Sequence, residues 1–182
     1  MRVRRATVDD AEPLARIHVR GWQWGYRGQL PDAYLNGLSI ERRAEQWRAW
    51  LLDPGDTATW VAEDDAEPAP RALGFVSAGA NRDPHPPPGT GEIYAIYVEE
   101  DAAGRGVGAA LLRRACGWLA AEGYERGSLW VLETNARARR FYERLGWRPD
   151  GEAKTDPLED FEMREVRYVT DLSSTEARGS GG

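Results

Sequence analysis

Apolar residues recur along this chain at two spacings, and the spacing changes from one stretch to the next. In "SIERRAEQWRAWLL" Ile40, Ala44, Trp47 and Leu51 fall three or four apart, the spacing of one helix face. "TATWVAED" and "ALGFVSAGA" are short, largely apolar runs that predict strands, joined by the acidic, proline-containing loop "DDAEPAP". Upstream, "RVRRATVDD" predicts a short strand running into a helix, with Asp9 and Glu12 at capping-box spacing. Pro13 is tolerated in the first turn, and the helix should reach about Trp24. A second helical region is expected after Pro31. "NRDPHPPPGTG" cannot be regular structure and predicts a stiff surface loop. There follow a strand at 92–99, a helix at about 106–122, the strand "GSLWVLE" and the helix "NARARRFYERLG" ended by Gly146. "WRPDGEAK" and "EMREVRYVTDL" supply two last strands. The order β-α-α-β-β-β-α-β-α-β-β predicts an α+β fold, a mixed sheet with helices on both faces.

Composition narrows this. A chain of 182 residues suits one domain with a full core, placed here at 1–171, and the polar, small-residue end at 172–182 predicts a disordered tail. No run of 18 apolar residues occurs, so no membrane span is expected. The basic N-terminus lacks the apolar segment of a secretory signal, and Cys116 is the only cysteine, which points to a reducing, cytoplasmic setting. Net charge is -6 with arginines and acids interspersed, which argues against nucleic acid as a partner. His18, His85 and Cys116 are too few for a soft-ligand metal site, so no metal is expected.

The candidate chemistry starts at "AAGRGVGAALL". Gly104, Gly106 and Gly108 stand where a strand hands over to a helix, whose first N–H groups are unpaired and carry partial positive charge. With side chains absent, a phosphate can sit on those amides, and Arg105 adds charge. A turn plus close helix–sheet packing would also use these glycines. A P-loop fails because Gly-Ala-Ala stands where Gly-Lys-Ser/Thr is needed. Gly104, Gly106 and Ala109 formally fit a dinucleotide fingerprint, but three strands and two helices precede the unit.

The stretch resembles the acyl-CoA-binding motif of the GNAT superfamily of N-acetyltransferases, Gln/Arg-x-x-Gly-x-Gly/Ala, aligned from Ala103 through Gly104, Arg105, Gly106 and Val107 to Gly108. "NARARRFYERLGW" resembles that superfamily's second signature, with Asn135, Ala138, Phe141, Tyr142 and Gly146 in place. The resemblance implies a central twisted sheet of about six to seven strands with about four helices on both faces. It implies acetyl-CoA as co-substrate, held by Tyr97, Val98, Ala103, Gly104, Arg105, Gly106, Val107, Gly108, Ala109, Asn135 and Tyr142. Ala103 departs from the usual Gln or Arg, which removes a side-chain contact and predicts weaker cofactor binding. Capping and packing of a helix would account for Asn135 and Phe141 as well.

The roles implied by the resemblance are catalytic for three residues. Tyr142 protonates the departing sulfur, Glu92 takes the acceptor's proton, and the Val98 N–H donates to the thioester carbonyl. A thiol (pKa about 8.5) is more acidic than a tyrosine (about 10), so full transfer from tyrosine is uphill by roughly 2 kcal/mol. Transfer therefore accompanies thiolate formation, or a hydrogen bond to the sulfur does most of the work. A base is needed because an ammonium cannot attack a thioester. Direct attack in a ternary complex is expected, since Cys116 sits mid-helix with no histidine nearby in sequence. The acceptor, a primary amine, is expected among Trp22, Gln23, Tyr26, Tyr34, Tyr94 and Trp130; aromatics at such spacing are more often core than pocket wall. A homodimer is left open. The rivals are a non-enzymatic acyl-CoA-binding protein, for which Glu92 and Tyr142 are superfluous, and a dinucleotide-binding oxidoreductase.

Overall fold

The structure is a computed structural model that describes residues 1–65, 70–158 and 161–172. The disorder expected beyond residue 172 and the middle of the "DDAEPAP" loop lie outside the described residues. The chain runs β1 (Arg2–Arg5), α1 (Ala11–Gly25), α2 (Asp32–Asn36), α3 (Ile40–Leu52), β2 (Ala58–Glu63), β3 (Ala72–Ala80) and β4 (Thr90–Val98). It continues with α4 (Val107–Ala121), β5 (Arg126–Leu132), α5 (Ala136–Arg144), β6 (Arg148–Leu158) and β7 (Phe161–Asp171). The strands form one seven-stranded mixed sheet in the order β1-β2-β3-β4-β5-β7-β6, which makes the fold α+β as expected.

The helical region after Pro31 is two helices, so the described residues hold five rather than about four. Gly37 N bonds back to Ala33 O and Tyr34 O and ends α2, and Ser39 Oγ accepts from Arg42 N at 3.1 Å and starts α3. The expected Asp9–Glu12 cap is also corrected. A turn of 3-10 helix over Val8–Asp10 precedes α1, and Asp10 is the acid that caps it, its Oδ2 accepting from Thr7 N at 2.7 Å. Arg4 explains the choice: its guanidinium donates two bonds of 2.8 Å to Asp10, which is buried, whereas Glu12 pairs outward with Arg16.

Contacts divide the chain into two units, one comprising Met1–Ala78 with Ala95–Ala115, the other Gly79–Tyr94 with Cys116 onward. In the first, the core gathers Leu14 and Ile17 of α1, Ala44 and Trp47 of α3, Val61 of β2 and Phe75 of β3. Ile40 and Leu51 border it, so the helical spacing read in α3 marks the face that is buried. Ala95 and Tyr97, two apart on β4, pack on the same cluster, as period-two alternation requires. Fully burying side chains of this size contributes about 1.5–3 kcal/mol each.

In the second unit β4 pairs parallel with β5, Thr90–Glu92 opposite Arg126–Ser128, and β7 pairs antiparallel with both β5 and β6. Leu119, Leu129, Tyr168 and Leu172 are buried there. Leu172, expected to begin the tail, donates its N–H to Glu125 O at 2.9 Å and belongs to this core. No helix among the described residues is long and apolar enough to cross a membrane.

Candidate active site

In the first unit β4 ends in a tight turn before α4. Glu99 N donates to Leu73 O at 2.9 Å, which ties the end of β4 to β3. The approach is close, since a Cβ on Gly74 would stand 2.7 Å from Tyr97 O and 3.2 Å from Val98 Cα. Ala102 and Val107 are buried and anchor the turn on either side, while Gly104, Arg105 and Gly106 between them are exposed. Gly104 and Gly106 have φ of 78° and 84°, a conformation that costs an ordinary residue about 1–2 kcal/mol. A Cβ at either would meet nothing within 4 Å, so backbone conformation is what demands glycine, and the space in front of the turn is open. Gly106 O accepts from Ala110 N at 3.0 Å; the amides of Val107, Gly108 and Ala109 precede this first helical bond. The turn thus presents main-chain donors at the positive end of a 15-residue helix, which is chemistry suited to a pyrophosphate.

Beside that turn is a cleft of about 350 Å³ whose walls include Val98, Gln23, Trp24, Arg20 and Glu99. Among the residues expected to bind the acceptor, Gln23 lines it and also donates to Leu35 O at 3.1 Å, holding α2 against α1. Trp22 does not line it. Its ring meets Tyr26 edge-on at 5.0 Å and Tyr34 at 6.2 Å, an aromatic stack between α1 and α2. Sequence reading missed Arg20, which lies 3.8 Å from Glu99 at the cleft wall; no spacing in the sequence signals that pair.

His18 sits deeper in the same unit, stacked on Tyr97 at 4.8 Å and flanked by Phe75 and Trp47. Burial, with Arg43 adding to it, lowers its pKa to about 3, so the ring is neutral. Its Nδ1 has no hydrogen-bond partner among the described residues.

In the second unit the predicted residues Glu92, Tyr94 and Trp130 all meet one loop. Glu92 is 3% exposed, yet its carboxylate is fully engaged. Arg82 Nη2 donates to Oε1 at 2.6 Å, and Arg82 N donates to Oε2 at 2.8 Å. The Arg82 guanidinium lies 3.9 Å over the Tyr94 ring, whose hydroxyl donates to Ala80 O at 2.6 Å. Trp130 Nε1 donates to Asp83 at 2.9 Å, and Arg167 donates to the other Asp83 oxygen at 3.0 Å. Asn81 donates to Ser128 Oγ at 2.8 Å. The proline-rich loop is thus irregular, as expected, but Asn81, Arg82 and Asp83 fasten it to the sheet.

The second signature forms α5. Asn135 Oδ1 accepts from Ala138 N at 3.0 Å and caps the helix, so the capping reading holds. Gly146 N donates to Glu143 O and Trp147 N to Tyr142 O, the paired bonds that close a helix C-terminus. Tyr142 is buried, with Phe141 at 5.2 Å and Trp147 and Tyr168 slightly beyond 6 Å.

A glycine turn with open main-chain amides and a capped Asn-to-Tyr helix are features of one family, and its model, the acetyltransferase (GNAT) family, matches residues 20–147. The chain belongs to that family. It is accordingly an N-acetyltransferase. An uncharacterized N-acetyltransferase of Bacillus subtilis is 32% identical over 133 residues, covering 73% of this chain and 72% of that protein. A probable N-acetyltransferase of Mycobacterium tuberculosis is 30% identical over 171 residues, 92% of each chain. The crystal structure of the PaiA N-acetyltransferase of Thermoplasma acidophilum in complex with coenzyme A superposes with a TM-score of 0.67. It covers 93% of this chain and 98% of its own at 16% identity, a likeness of fold.

Within this GNAT chain a covalent relay through the lone thiol is disfavoured. Burial pushes Cys116 up to about 12, so it stays protonated at neutral pH.

Proposed function

We propose that this GNAT member transfers the acetyl group of acetyl-CoA to a primary amine by direct attack in a ternary complex. Acetyl-CoA supplies the activated acetyl group. The observation that carries the reading is the exposed turn at Gly104–Gly106, whose backbone opens a helix and whose two glycines leave clear space in front of it. The amides of Gly104 and of Gly106 through Ala109, with the Arg105 side chain, hold the pyrophosphate, while those of Ala103 and Arg105 donate to Glu100 O and Ala102 O; the absence of a long polar side chain at Ala103 weakens that grip. Tyr97 and Val98 run beside the pantetheine arm, and the Val98 N–H donates to the carbonyl oxygen that gains charge on attack. Glu92 accepts the ammonium proton at a carboxylate oxygen. Tyr142 donates its hydroxyl proton toward the sulfur, and Asn135, while capping α5, retains its amide group for the cofactor. Gln23, with Trp22, Tyr26, Tyr34, Tyr94 and Trp130, is assigned to the amine side.

The test is calorimetric titration with acetyl-CoA, followed by thiol release across a panel of amines and N-terminal peptides. Binding with amine-dependent thiol release supports the reading. Binding with no release across the panel favours a non-enzymatic acyl-CoA-binding protein. Stabilisation by NADH with none by acetyl-CoA favours a dinucleotide enzyme.

A further inference from the structure

Arg82 is an unusual partner for a residue proposed to act as a base. Its side chain is 60% exposed while that of Glu92 is 4% exposed, so the guanidinium covers the carboxylate from the solvent side. It makes two kinds of contact at once: a bond of 2.6 Å to Glu92 Oε1 and a stacking contact 3.9 Å over the Tyr94 ring. A carboxylate plus an aromatic face is the environment that recognises an organic cation. The Tyr94 ring is fixed at its far end by its hydroxyl bond to Ala80 O, so it does not depend on Arg82 for its orientation.

The neighbours of Arg82 do not share its exposure. Asn81 is bonded to Ser128, and Asp83 is bonded to both Trp130 and Arg167. Those bonds hold the loop backbone in place, and with it the 2.8 Å bond from Arg82 N to Glu92 Oε2. If the Arg82 side chain swings outward, Oε2 keeps its backbone donor and Oε1 loses its guanidinium. One carboxylate oxygen and one ring face then become available without any movement of the loop.

We propose that Glu92 and Tyr94 form a site for a primary ammonium group, and that Arg82 is a displaceable internal occupant of that site. The reading rests on the acetyl transfer proposed above and adds how the acceptor is admitted. A cationic acceptor competes with Arg82 for Oε1 and the ring, and by displacing it uncovers the oxygen that takes its proton. A neutral or anionic acceptor has no means of displacing the guanidinium, so selectivity for acceptors that are cations in solution is built into the loop.

The test reads cation binding with no acetyl-CoA present. Wild type, Arg82→Ala and the double variant Arg82→Ala/Glu92→Gln are melted and titrated with methylguanidinium chloride and n-propylammonium chloride, with sodium chloride as the ionic control. In Arg82→Ala the melting temperature should rise saturably with either organic cation, with a dissociation constant on the order of millimolar. Wild type should not respond in that range, and the double variant should bind at least about tenfold more weakly than Arg82→Ala. Equal responses in all three proteins, or none in Arg82→Ala, would overturn the proposal. If Arg82→Ala does not fold, Arg82→Gln, which keeps the stem without the charge, takes its place under the same criteria. A second arm uses acetyl-CoA with n-propylamine, for which the KM of Arg82→Ala should fall by about tenfold. Cation binding without turnover in any variant would count against acetyl transfer and leave the site standing. Turnover without cation binding would do the reverse.

Discussion

Two irregular segments carry most of the candidate chemistry, and they are held in opposite ways. The turn over Ala103–Gly106 presents backbone: Gly104 and Gly106 have nothing within 4 Å of where a Cβ would be, and buried Ala102 and Val107 flank the segment. The loop over Asn81–Asp83 presents side chains, and each of those three residues is bonded to a strand or to a residue on one. A main-chain site tolerates no added side chain but asks little of its surroundings. A side-chain site is a network whose members stabilise one another. The first should therefore fail in binding when altered, and the second in stability.

The largest effect expected is on the turn. Gly106→Val should weaken acetyl-CoA binding by at least about 100-fold, roughly 3 kcal/mol, measured by calorimetry. Its cost in urea unfolding should stay near 1–2 kcal/mol, the strain of an L residue at positive φ. Unchanged affinity would break the contrast at its first term. Asp83→Ala is the converse. It leaves Trp130 Nε1 without its acceptor and removes one of the two carboxylates that pair with Arg167, which keeps Asp150, in a place where the Asp83 and Arg167 side chains are 14% and 12% exposed. The expected cost is about 2–3 kcal/mol of stability, with acetyl-CoA affinity changed by less than about threefold. A large loss of affinity with stability intact would reverse the assignment of the two segments.

A third segment sharpens the contrast, because α1 carries a buried ring, His18, whose Nδ1 has no hydrogen-bond partner among the described residues. His18 titrates near 3 when folded against an ordinary 6.5, so only the unfolded chain takes up its proton between those values. Stability linked to His18 is therefore complete above pH 6.5 and falls as pH drops toward 3. Between pH 7 and pH 5 the loss should be about 2 kcal/mol, read from urea melts. His18→Phe, which retains the contact with Tyr97, should flatten that slope. An equal slope in the variant would remove His18 as its source. The smallest effect is at α5, where Asn135→Ala should cost about 1 kcal/mol through loss of the cap to Ala138 N.

The contrast also accounts for what the sequence made legible. The glycine turn and the Asn-to-Tyr helix are written in consecutive residues, because backbone conformation and capping are set locally. The face of α3 was legible for a related reason: Ala44 and Trp47 repeat with the helix itself. The Arg82–Glu92 contact could not be read, because ten residues and a proline-rich loop separate the partners and no periodicity links them. Nor could the pairing of Asp83 with Trp130 and Arg167, which depends on three strands lying side by side. The capping acid differs from the one expected because Asp9, Asp10 and Glu12 look alike until Arg4 selects Asp10, whose side chain closes the 3-10 turn ahead of α1.

The central claim, that main-chain nitrogens of the glycine turn receive the pyrophosphate, has a direct readout in the amide resonances of Gly104, Gly106, Val107 and Gly108. Titration of the labelled protein with acetyl-CoA should shift these four, saturably and with the same dissociation constant found by calorimetry. Their exchange with solvent deuterium should slow in step. Saturation by acetyl-CoA with those four amides unmoved would contradict the account.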